Sequence, residues 1–358
     1  MSVVNIRTSF AYYLPQFHAF PENNEWWGDD FTEWTHVKSA KSYSRDHQIY
    51  QPHDDLGYYR LEDISIMEKQ YELAKNNGID CFCFWNYWFG HGEKLMEAPL
   101  EKLLLSDIDI KYCVSWANHS WFNKTKGLLL KEQKYPGEED IYKHFEYLSR
   151  FFLDKRYKVI DNKPVLFVFQ PSDIPYFSLF KKIFDDKCKE LGFSGIFLIS
   201  ENSNASVLGE GISDCYIDSR NIITFSPLVR IFRLFRRNLA KIRKLKPITY
   251  NYAKRFKYFN NVENTKQIPV IIPGWDSTIR HGERGWYFNN ASIEQFSNHV
   301  RNVKDILENR NWEDRIFLVK SWNEWAEGNF IEPDSTRGYA LLDVVRSNFK
   351  IKCGKNDN

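Results

Sequence analysis

The sequence has little of what membrane-spanning, disulfide-linked or metal-dependent proteins need. It contains no apolar run of about 18 residues, the length at which a segment can cross a bilayer. Six cysteines are few for 358 residues, and no secretory signal is apparent, so we expect reduced thiols in a cytoplasmic protein. Cys81 and Cys83 alternate on a predicted strand without His or Cys at ligand spacing, and we expect them in the core. No metal and no organic cofactor is implied.

Signals for nucleotide binding are also scarce. No glycine-rich phosphate loop follows the first predicted strand, which disfavours an open dinucleotide-binding sheet. A nucleotide-sugar transferase often carries an Asp-x-Asp metal motif, and Asp107-Ile108-Asp109 has the required letters. This tripeptide lies between a predicted helix and the start of a strand, away from the strand ends where barrel sites form. We interpret it as a solvated turn.

Aromatic residues are what the sequence has in excess. They make up 17% of the chain and include 12 Trp and 20 Tyr, beside 43% hydrophobic and 27% charged residues. Such an excess favours a site that stacks rings, as carbohydrate sites do, over an ordinary core.

The stretch 316–327, IFLVKSWNEWAE, combines a predicted strand with two carboxylates. Its apolar first half has strand length, and Glu324 and Glu327 follow among tryptophans. Chemistry on a sugar needs one carboxyl that stays protonated and one that stays charged, and burial beside an indole separates those roles. The alternative is a structural tryptophan-rich turn with two solvated glutamates.

The rest of the chain alternates between predicted strands and helices. Eight mostly apolar strands are predicted at 9–14, 80–85, 111–116, 164–169, 195–199, 213–217, 268–272 and 316–322. Helices are predicted between them at 62–77, 96–105, 140–152, 175–191 and 292–307. Apolar strands alternating with helices indicate parallel βαβ units covered on both faces. We therefore predict one α/β domain, a (β/α)8 TIM-type barrel over 1–349, followed by a polar tail at 350–358.

Polar and aromatic residues gather after the carboxyl ends of these strands, where a (β/α)8 barrel builds its site. The long loop after the first strand has no obvious secondary structure, and it is either a ligand wall or a lid whose tryptophans pack inward. The candidate substrate-binding residues are Tyr12, Tyr13, Trp26, Trp27, Glu33, Trp34, Trp85, Asn86, Tyr87, Trp88, Trp116, Asn118, His119, Trp121, Glu201, Trp275, Asp276, Arg280, Trp322, Asn323 and Trp325.

A basic segment interrupts the pattern at about 226–259, which holds eleven Lys or Arg and no Asp or Glu. Apolar residues recur every three or four positions over 228–245, so we predict a basic amphipathic helical insertion. Three interpretations are open: the sixth barrel helix with a solvated basic face, a helix lying on an anionic membrane surface, or a nucleic-acid contact. No recognition motif accompanies the last, and we predict no nucleic-acid partner.

Several longer motifs together resemble one family. They are YYLPQFH (12–18), ENNEWWG (22–28), FTEW (31–34), DLGYY (55–59), CFWNYWF (83–89), SWANHSW (115–121), PGWDST (273–278) and SWNEWAEGN (321–329). Together they are similar to the WbsX-like proteins, assigned as glycosyltransferases of bacterial surface-polysaccharide clusters and related to glycoside hydrolase family 99. The resemblance runs from about Tyr12 to Tyr339.

The resemblance implies a barrel enzyme that acts on polysaccharide. In the endo-α-mannosidases of family 99 a Glu-x-x-Glu pair follows the last strand, and Glu324 and Glu327 match it in spacing and place. By that similarity Glu327 is the general acid/base, and Glu324 is the base that activates the sugar's 2-hydroxyl for an internal attack, with net retention. Between them lie Trp325 and Ala326, where the hydrolases commonly have Trp-His.

Three functions remain open on the sequence. The chain cleaves or transfers glycosyl groups of O-antigen or capsule with retention; it is a glycosyltransferase using a lipid-linked or nucleotide-sugar donor; or it is a non-catalytic glycan-binding barrel. The expected partner is an oligosaccharide or polysaccharide, free or polyprenyl-diphosphate-linked, and the membrane interpretation of 228–245 adds a peripheral contact with the inner membrane. Both glutamates are present, which weighs against the binding barrel.

Overall fold

The fold is an eight-stranded parallel barrel surrounded by helices, seen in a computed structural model. The structure describes residues 3–123, 127–201, 212–218, 231–232, 234–236, 239, 245–255, 262 and 264–351. The barrel strands are β1 (Thr8–Tyr13), β2 (Cys81–Trp88), β3 (Tyr112–Trp116), β4 (Lys163–Val168), β5 (Phe197–Glu201), β6 (Cys215–Ile217), β7 (Val270–Ile271) and β8 (Ile316–Val319).

Neighbouring strands pair in parallel in the order β6-β5-β4-β3-β2-β1-β8-β7. The ring closes between β6 and β7, where Tyr216 pairs in parallel with Gln267 just before β7. The Tyr216 amide donates to the Lys266 carbonyl at 3.0 Å, and the Ile268 amide donates to the Tyr216 carbonyl at 2.8 Å. The predicted (β/α)8 TIM-type fold is confirmed. All eight strands therefore point their carboxyl ends toward one face, which we call the barrel mouth.

The strands form because their side chains are apolar on both faces. Every residue of β1, β2 and β3 is buried, since one face lines the barrel interior and the other packs on helices. Cys81 and Cys83 are fully buried on β2, which confirms their place in the core. The five cysteines within the described ranges are free thiols.

Helices cover the barrel where the sequence predicts them, with small shifts at their ends. They are α1 (Pro21–Trp27), α2 (Glu33–Ser39), α3 (Ser65–Asn76), α4 (Ala98–Leu104), α5 (Glu138–Phe152), α6 (Phe177–Glu190), α7 (Tyr252–Arg255), α8 (Thr278–His281), α9 (Ile293–Glu308) and α10 (Ala340–Asn348). The loop after β1, predicted to lack secondary structure, instead contains α1 and α2. Pro21 begins α1 and Thr32 caps α2, two local signals that start helices.

Short strands outside the barrel were not predicted. Val4–Ile6 pairs in parallel with Phe349–Ile351, and Ile248–Asn251 pairs in parallel with Trp286–Asn289. A hairpin of Trp121–Asn123 and Leu128–Lys131 follows β3. Further two-residue strands are Lys94–Leu95, Val159–Ile160, Asn323–Glu324 and Asn329–Phe330, and 3-10 turns lie at Pro171–Asp173, Gly282–Arg284, Trp312–Asp314 and Trp325–Glu327.

Most of the basic insertion predicted at 228–245 lies outside the described residues. Of its described apolar side chains, Ile231, Phe232, Leu234 and Phe235 are more than half exposed. A sixth barrel helix would bury such residues, so these four side chains do not fit that interpretation. Among described residues, no helix is long and apolar enough to cross a bilayer.

Candidate active site

The turn after β8 carries both glutamates to the barrel mouth. Asn323–Glu324 pairs antiparallel with Asn329–Phe330, and a single 3-10 turn, Trp325–Glu327, joins them. Gly328 closes the turn at φ +57°, where a Cβ would lie 2.6 Å from the Cβ of Asp276. Only glycine fits this close approach to the loop after β7.

Glu324 lies inward, against the indole of Trp85. The Trp85 Nε1 donates to Glu324 Oε1 at 2.9 Å, and the glutamate is 8% exposed. Burial raises the pKa of Glu324, the charge of Glu327 raises it further, and the result is about 7. Lys320 and Arg280 act in the opposite direction. Near neutral pH the carboxyl therefore exchanges its proton readily, as a general acid or base must.

A buried ion pair supports Glu324 from the barrel interior. Lys320, at the end of β8, contacts Glu201 Oε1 through its Nζ at 2.5 Å, and the Tyr12 hydroxyl donates to Glu201 Oε2 at 2.6 Å. Burial alone would lower the pKa of Lys320, but the carboxylates of Glu201, Glu324 and Glu327 together outweigh it and the pKa is raised. Tyr12 in turn stacks on Trp85 with ring centroids 4.2 Å apart. The lysine therefore stays charged below the glutamate pair.

Glu327 is more open and is held by Arg280. The Arg280 Nη1 donates to Glu327 Oε1 at 2.9 Å, while Nη2 contacts Glu33 Oε1 at 2.8 Å. Glu33 also accepts the backbone amide of Ala326 at 3.0 Å, so it anchors the turn and the guanidinium together. Burial disfavours the charged form of Arg280 and by itself would lower its pKa. The carboxylates of Glu33 and Glu327 act in the opposite direction, and the pKa of Arg280 is raised. One guanidinium thus sets the position of the second glutamate.

Aromatic side chains line the mouth beside this pair. Tyr87 is buried, and its pKa is raised by burial and by the charge of Glu324, which places its hydroxyl within the field of the site. Its ring contacts Trp121 edge-to-face at 5.2 Å and lies 6.1 Å from His119, and Trp121 lies 5.6 Å from Trp26. Trp26, His119 and Trp121 thus join Tyr87 in an aromatic wall, and all four are among the predicted site residues.

A second cleft adjoins the turn on the side of β7. It is lined by Trp275, Asp276 and Tyr287 among others. Asp276 accepts from Nε2 of His47 at 2.8 Å, and its amide donates to the Glu327 carbonyl. His47 stacks on Tyr287 at 3.9 Å. The sequence predicted Trp275 and Asp276 here but missed His47, because its partner is distant in the chain.

Four predicted site residues lie in the layer between strands and outer helices. Trp116 is 4% exposed and packs on Phe180 at 5.5 Å, and its indole nitrogen donates to the backbone of Trp88. Trp88 stacks on His144 at 4.8 Å. Asn86 reaches toward Tyr147, and Asn118 bonds the backbone of Gln170. These side chains contact other parts of the protein, because successive side chains along β2 and β3 alternate between the barrel interior and the helices, and their contact with a substrate stays a prediction.

Five other predicted site residues stabilise the barrel mouth through packing and hydrogen bonds beneath it. The Asn323 side chain accepts from the Leu14 backbone amide and donates to the Leu14 carbonyl. The Tyr13 hydroxyl donates to Gln70 Oε1 at 2.7 Å. Trp34 donates to the Tyr59 carbonyl, Trp325 stacks on Phe330 at 3.6 Å, and Trp322 is fully buried. These residues, predicted as substrate-binding, pack and hydrogen-bond within the protein, and Trp325 also lines the second cleft. Their contact with a substrate stays a prediction. Trp27 differs again, since it is 37% exposed on α1.

Glu332 is a buried carboxyl that sequence reasoning missed. Its oxygens accept from Trp325 Nε1 and Gln70 Nε2, each at 2.6 Å, and from the Tyr59 hydroxyl at 3.1 Å. Burial raises the pKa of Glu332 to about 7. Because it faces these packing residues, we interpret it as support for the turn.

No group of three or more His, Cys, Asp or Glu with metal-binding geometry occurs in the described part of the chain. The carboxylates at the mouth are instead engaged by Arg280, Lys320 and Trp85. The site as built is a pair of carboxyls with different environments, flanked by aromatic rings, the buried Lys320 and the partly exposed Arg280.

Comparison with known proteins gives a consistent result. A family described as "Glycosyltransferase WbsX" matches residues 9–345. Proteins called WxcX from two strains of Xanthomonas campestris pv. campestris are each 28% identical over 354 residues, which is 95% of this chain and 49% of theirs. The chain spans about half the length of these curated relatives.

Solved structures share the fold. A glycoside hydrolase-like protein superposes with a TM-score of 0.60 at 13% identity, covering 98% of this chain and 96% of that one. A family 99 endo-α-mannosidase from Bacteroides thetaiotaomicron, in complex with BIS-TRIS-propane, gives a TM-score of 0.56 at 13% identity, covering 96% of each chain. At this identity the likeness concerns the barrel fold.

Proposed function

The chain belongs to the WbsX glycosyltransferase family, and from that premise we propose that it cleaves or transfers glycosyl groups with retention through Glu324 and Glu327. The observation that carries the proposal is the contrast between the two carboxyls. Glu324 is buried on Trp85 with its pKa raised to about 7, while Glu327 is open and bound to Arg280. Two carboxyls in unlike environments are what acid and base roles on a sugar require.

The proposed reaction needs one proton on the pair, and it starts from the form in which that proton has moved from Glu324 to Glu327, so that Glu324 is charged and can act as a base. Glu324 removes the proton of the sugar's 2-hydroxyl, whose oxygen attacks the anomeric carbon, while Glu327 protonates the departing oxygen. An anhydro sugar results. Glu327 then takes the proton of an incoming water or sugar hydroxyl as that oxygen attacks the anomeric carbon, and Glu324 returns its proton to the 2-oxygen. Two inversions give net retention, and all protons are accounted for.

The pair can pass the glycosyl group to water or to another sugar. Family membership supports transfer, and the aromatic wall of Trp26, Tyr87 and Trp121 supports a saccharide on either side of the bond cleaved. We propose a bacterial surface polysaccharide, O-antigen or capsule, as substrate, free or linked to polyprenyl diphosphate. A second candidate is a glycan-binding barrel without turnover, which the aromatic wall alone would serve.

The test is incubation of the protein with the surface polysaccharide or lipid-linked repeat of its source organism, followed by mass spectrometry of the products. Glu327→Gln and Glu324→Gln should each lower turnover by about 10²–10⁴-fold, because an amide cannot exchange the proton. Glycan binding should be nearly unchanged. Glu146→Gln, on the exposed face of α5, is the matched control and should keep full activity.

Substrates with different leaving groups distinguish the acid role of Glu327 from the base role of Glu324. A glycoside with a good leaving group needs no proton from an acid, so Glu327→Gln should recover its first step with such a substrate, whereas Glu324→Gln should not. If both variants turned over the native glycan at wild-type rate, the binding barrel would replace the enzyme.

We also propose that residues 228–245 attach the protein to an anionic membrane surface. Eleven basic and no acidic residues in 226–259, with Ile231, Phe232, Leu234 and Phe235 exposed, support this. The protein should co-sediment with anionic liposomes at low salt and detach as salt rises. Replacing Arg233, Arg236, Arg237 and Lys241 with Gln should abolish binding; unchanged binding would contradict the attachment.

A further inference from the structure

The hairpin after β3 exposes apolar side chains at the barrel mouth. Phe122 is 54% exposed and pairs across the hairpin with Leu129, which is 45% exposed, so the two lie on the same face. Leu128, which precedes Leu129 and pairs with Asn123, is 55% exposed. Exposed apolar residues grouped in this way mark an interaction surface more often than scattered ones.

The hairpin is anchored rather than free-standing. Trp121, its first residue, packs between Tyr87 of β2 and Trp26 of α1, with ring centroids 5.2 and 5.6 Å apart. The backbone amide of Gln133, just beyond the hairpin, donates to the Ser120 hydroxyl at 2.9 Å. The exposed face therefore has a set position beside the glutamate pair, since it follows a strand whose carboxyl end is at the mouth.

The charge of the residues around the exposed face of the hairpin indicates what kind of partner it binds. Residues 121–134 hold four lysines and one glutamate, a net charge of +3, and 226–259 carry +11. The whole chain is only +2, so the remaining residues carry −12. The two stretches with clustered exposed apolar residues are thus basic on an otherwise acidic protein. That combination fits an anionic lipid surface, which takes up apolar side chains and attracts lysine together.

We propose that the hairpin Trp121–Asn123 and Leu128–Lys131 is a second membrane contact, which inserts Phe122 and Leu129 and turns the barrel mouth toward the lipid headgroups. This rests on the proposed function in one respect: a glycan linked to polyprenyl diphosphate lies in the plane that the mouth then faces. Attachment through 228–245 alone would be a single contact and would not fix the orientation of the barrel, whereas a second contact through the hairpin at the mouth would.

The test uses the full chain and vesicles of phosphatidylcholine with and without phosphatidylglycerol. Phe122→Ser combined with Leu129→Ser should weaken binding to anionic vesicles at low salt by about tenfold or more, because two partly exposed apolar side chains no longer enter the lipid. The matched control is Leu105→Ser with Leu153→Ser, which changes residues 88% and 59% exposed at helix ends opposite the mouth. This control should bind as the wild type does.

A second experiment measures how the barrel is oriented on the membrane. In a Cys353→Ser background, a fluorophore on Leu129→Cys should be quenched by brominated lipid, and one on Leu105→Cys should not. Activity on soluble glycan should be the same for the hairpin variant and the wild type. Loss of vesicle binding with intact activity supports the proposal, and the assay of vesicle binding does not depend on whether the protein is an enzyme.

Three results would overturn the proposal. Unchanged vesicle binding by the hairpin variant would leave 228–245 as the sole attachment. A concentration-dependent dimer abolished by the same substitutions would make the face a contact between copies of this chain. Weakened binding of soluble glycan by the hairpin variant, with vesicle binding intact, would make Phe122 a sugar-stacking residue.

Discussion

At the scale of single residues, proton exchange depends on where each carboxyl is placed. Glu324 is buried on Trp85, and Glu327 is exposed enough to reach a ligand while Arg280 holds it. The charge of Glu327 raises the pKa of Glu324, so the protonation of Glu324 depends on its neighbour, and the pair must carry one proton for the proposed reaction. Arg280 is a positioning residue here, since it acts through the two glutamates that it contacts.

Activity should fall above about pH 7. The pKa of Glu324 is raised to about 7 by burial and by Glu327, so the pair keeps its last proton below that pH and loses it above. The value of kcat/KM should then decrease about tenfold per pH unit on the alkaline side. A profile flat from roughly pH 6 to 9 would contradict the one-proton pair.

Replacing Arg280 should change the pH at which kcat/KM begins to fall on the alkaline side, which we call the alkaline limb. The guanidinium lowers the pKa of Glu324, so Arg280→Met should shift the limb of kcat/KM to higher pH and also reduce kcat, because Glu327 loses its contact. Arg280→Lys keeps the charge but cannot bridge Glu33 and Glu327 together. It should lower kcat while leaving the limb in place. An unshifted limb in Arg280→Met would mean that the arginine only braces the fold.

At the scale of elements, alternation along a strand separates site from core. On β2, Trp85 lies toward the barrel interior and bonds Glu324, whereas Asn86 and Trp88 contact α5. On β3, Trp116 packs on α6. Tryptophans that look alike in the sequence therefore have different functions in neighbouring positions.

Trp116→Ala should destabilise the protein by about 3–5 kcal/mol, the usual loss when a buried aromatic side chain is truncated. The matched variant is Trp275→Ala, whose half-buried indole lines the cleft beside the turn. It should cost less stability and weaken glycan binding more. Urea denaturation and glycan titration of both variants separate these effects, and a stable Trp116→Ala that binds glycan weakly would reverse the assignment.

At the scale of the whole molecule, the ends of the barrel domain are joined. Val4–Ile6 pairs with Phe349–Ile351, and the Phe349 ring lies 4.5 Å from Phe317 of β8. This small sheet ties the start of the chain to the strand that carries the glutamate turn. The stability of the turn thus depends on residues remote from the mouth.

Phe349→Ala should lower the free energy of unfolding by about 3–5 kcal/mol, because the ring is 2% exposed and fills the space against β8. Lys350→Ala, on the exposed side of the same strand, is the control and should change it by no more than about 0.5 kcal/mol. Thermal unfolding followed by tryptophan fluorescence measures both. Equal stability of the two variants would mean that the terminal sheet is incidental.

The sequence by itself determined the barrel, the number and order of its strands, and the end at which its polar residues gather. It did so because apolar runs, helix stops and strand ends are local signals that a parallel fold turns into position. For the same reason Glu324 and Glu327 could be chosen as candidates from the motif alone. Pro21 and Thr32 in the loop after β1 are likewise local signals that start α1 and α2.

Only the tertiary structure decided which residues share the site. Trp85 meets Glu324 across 239 residues, and Arg280 meets Glu33 across 247. The direction of a side chain into the barrel or onto a helix changes with a shift of one residue, and pattern alone does not determine that register. Burial and nearby charge, which set the raised pKa of Glu324 and separate its role from that of Glu327, exist only once those distant residues are brought together.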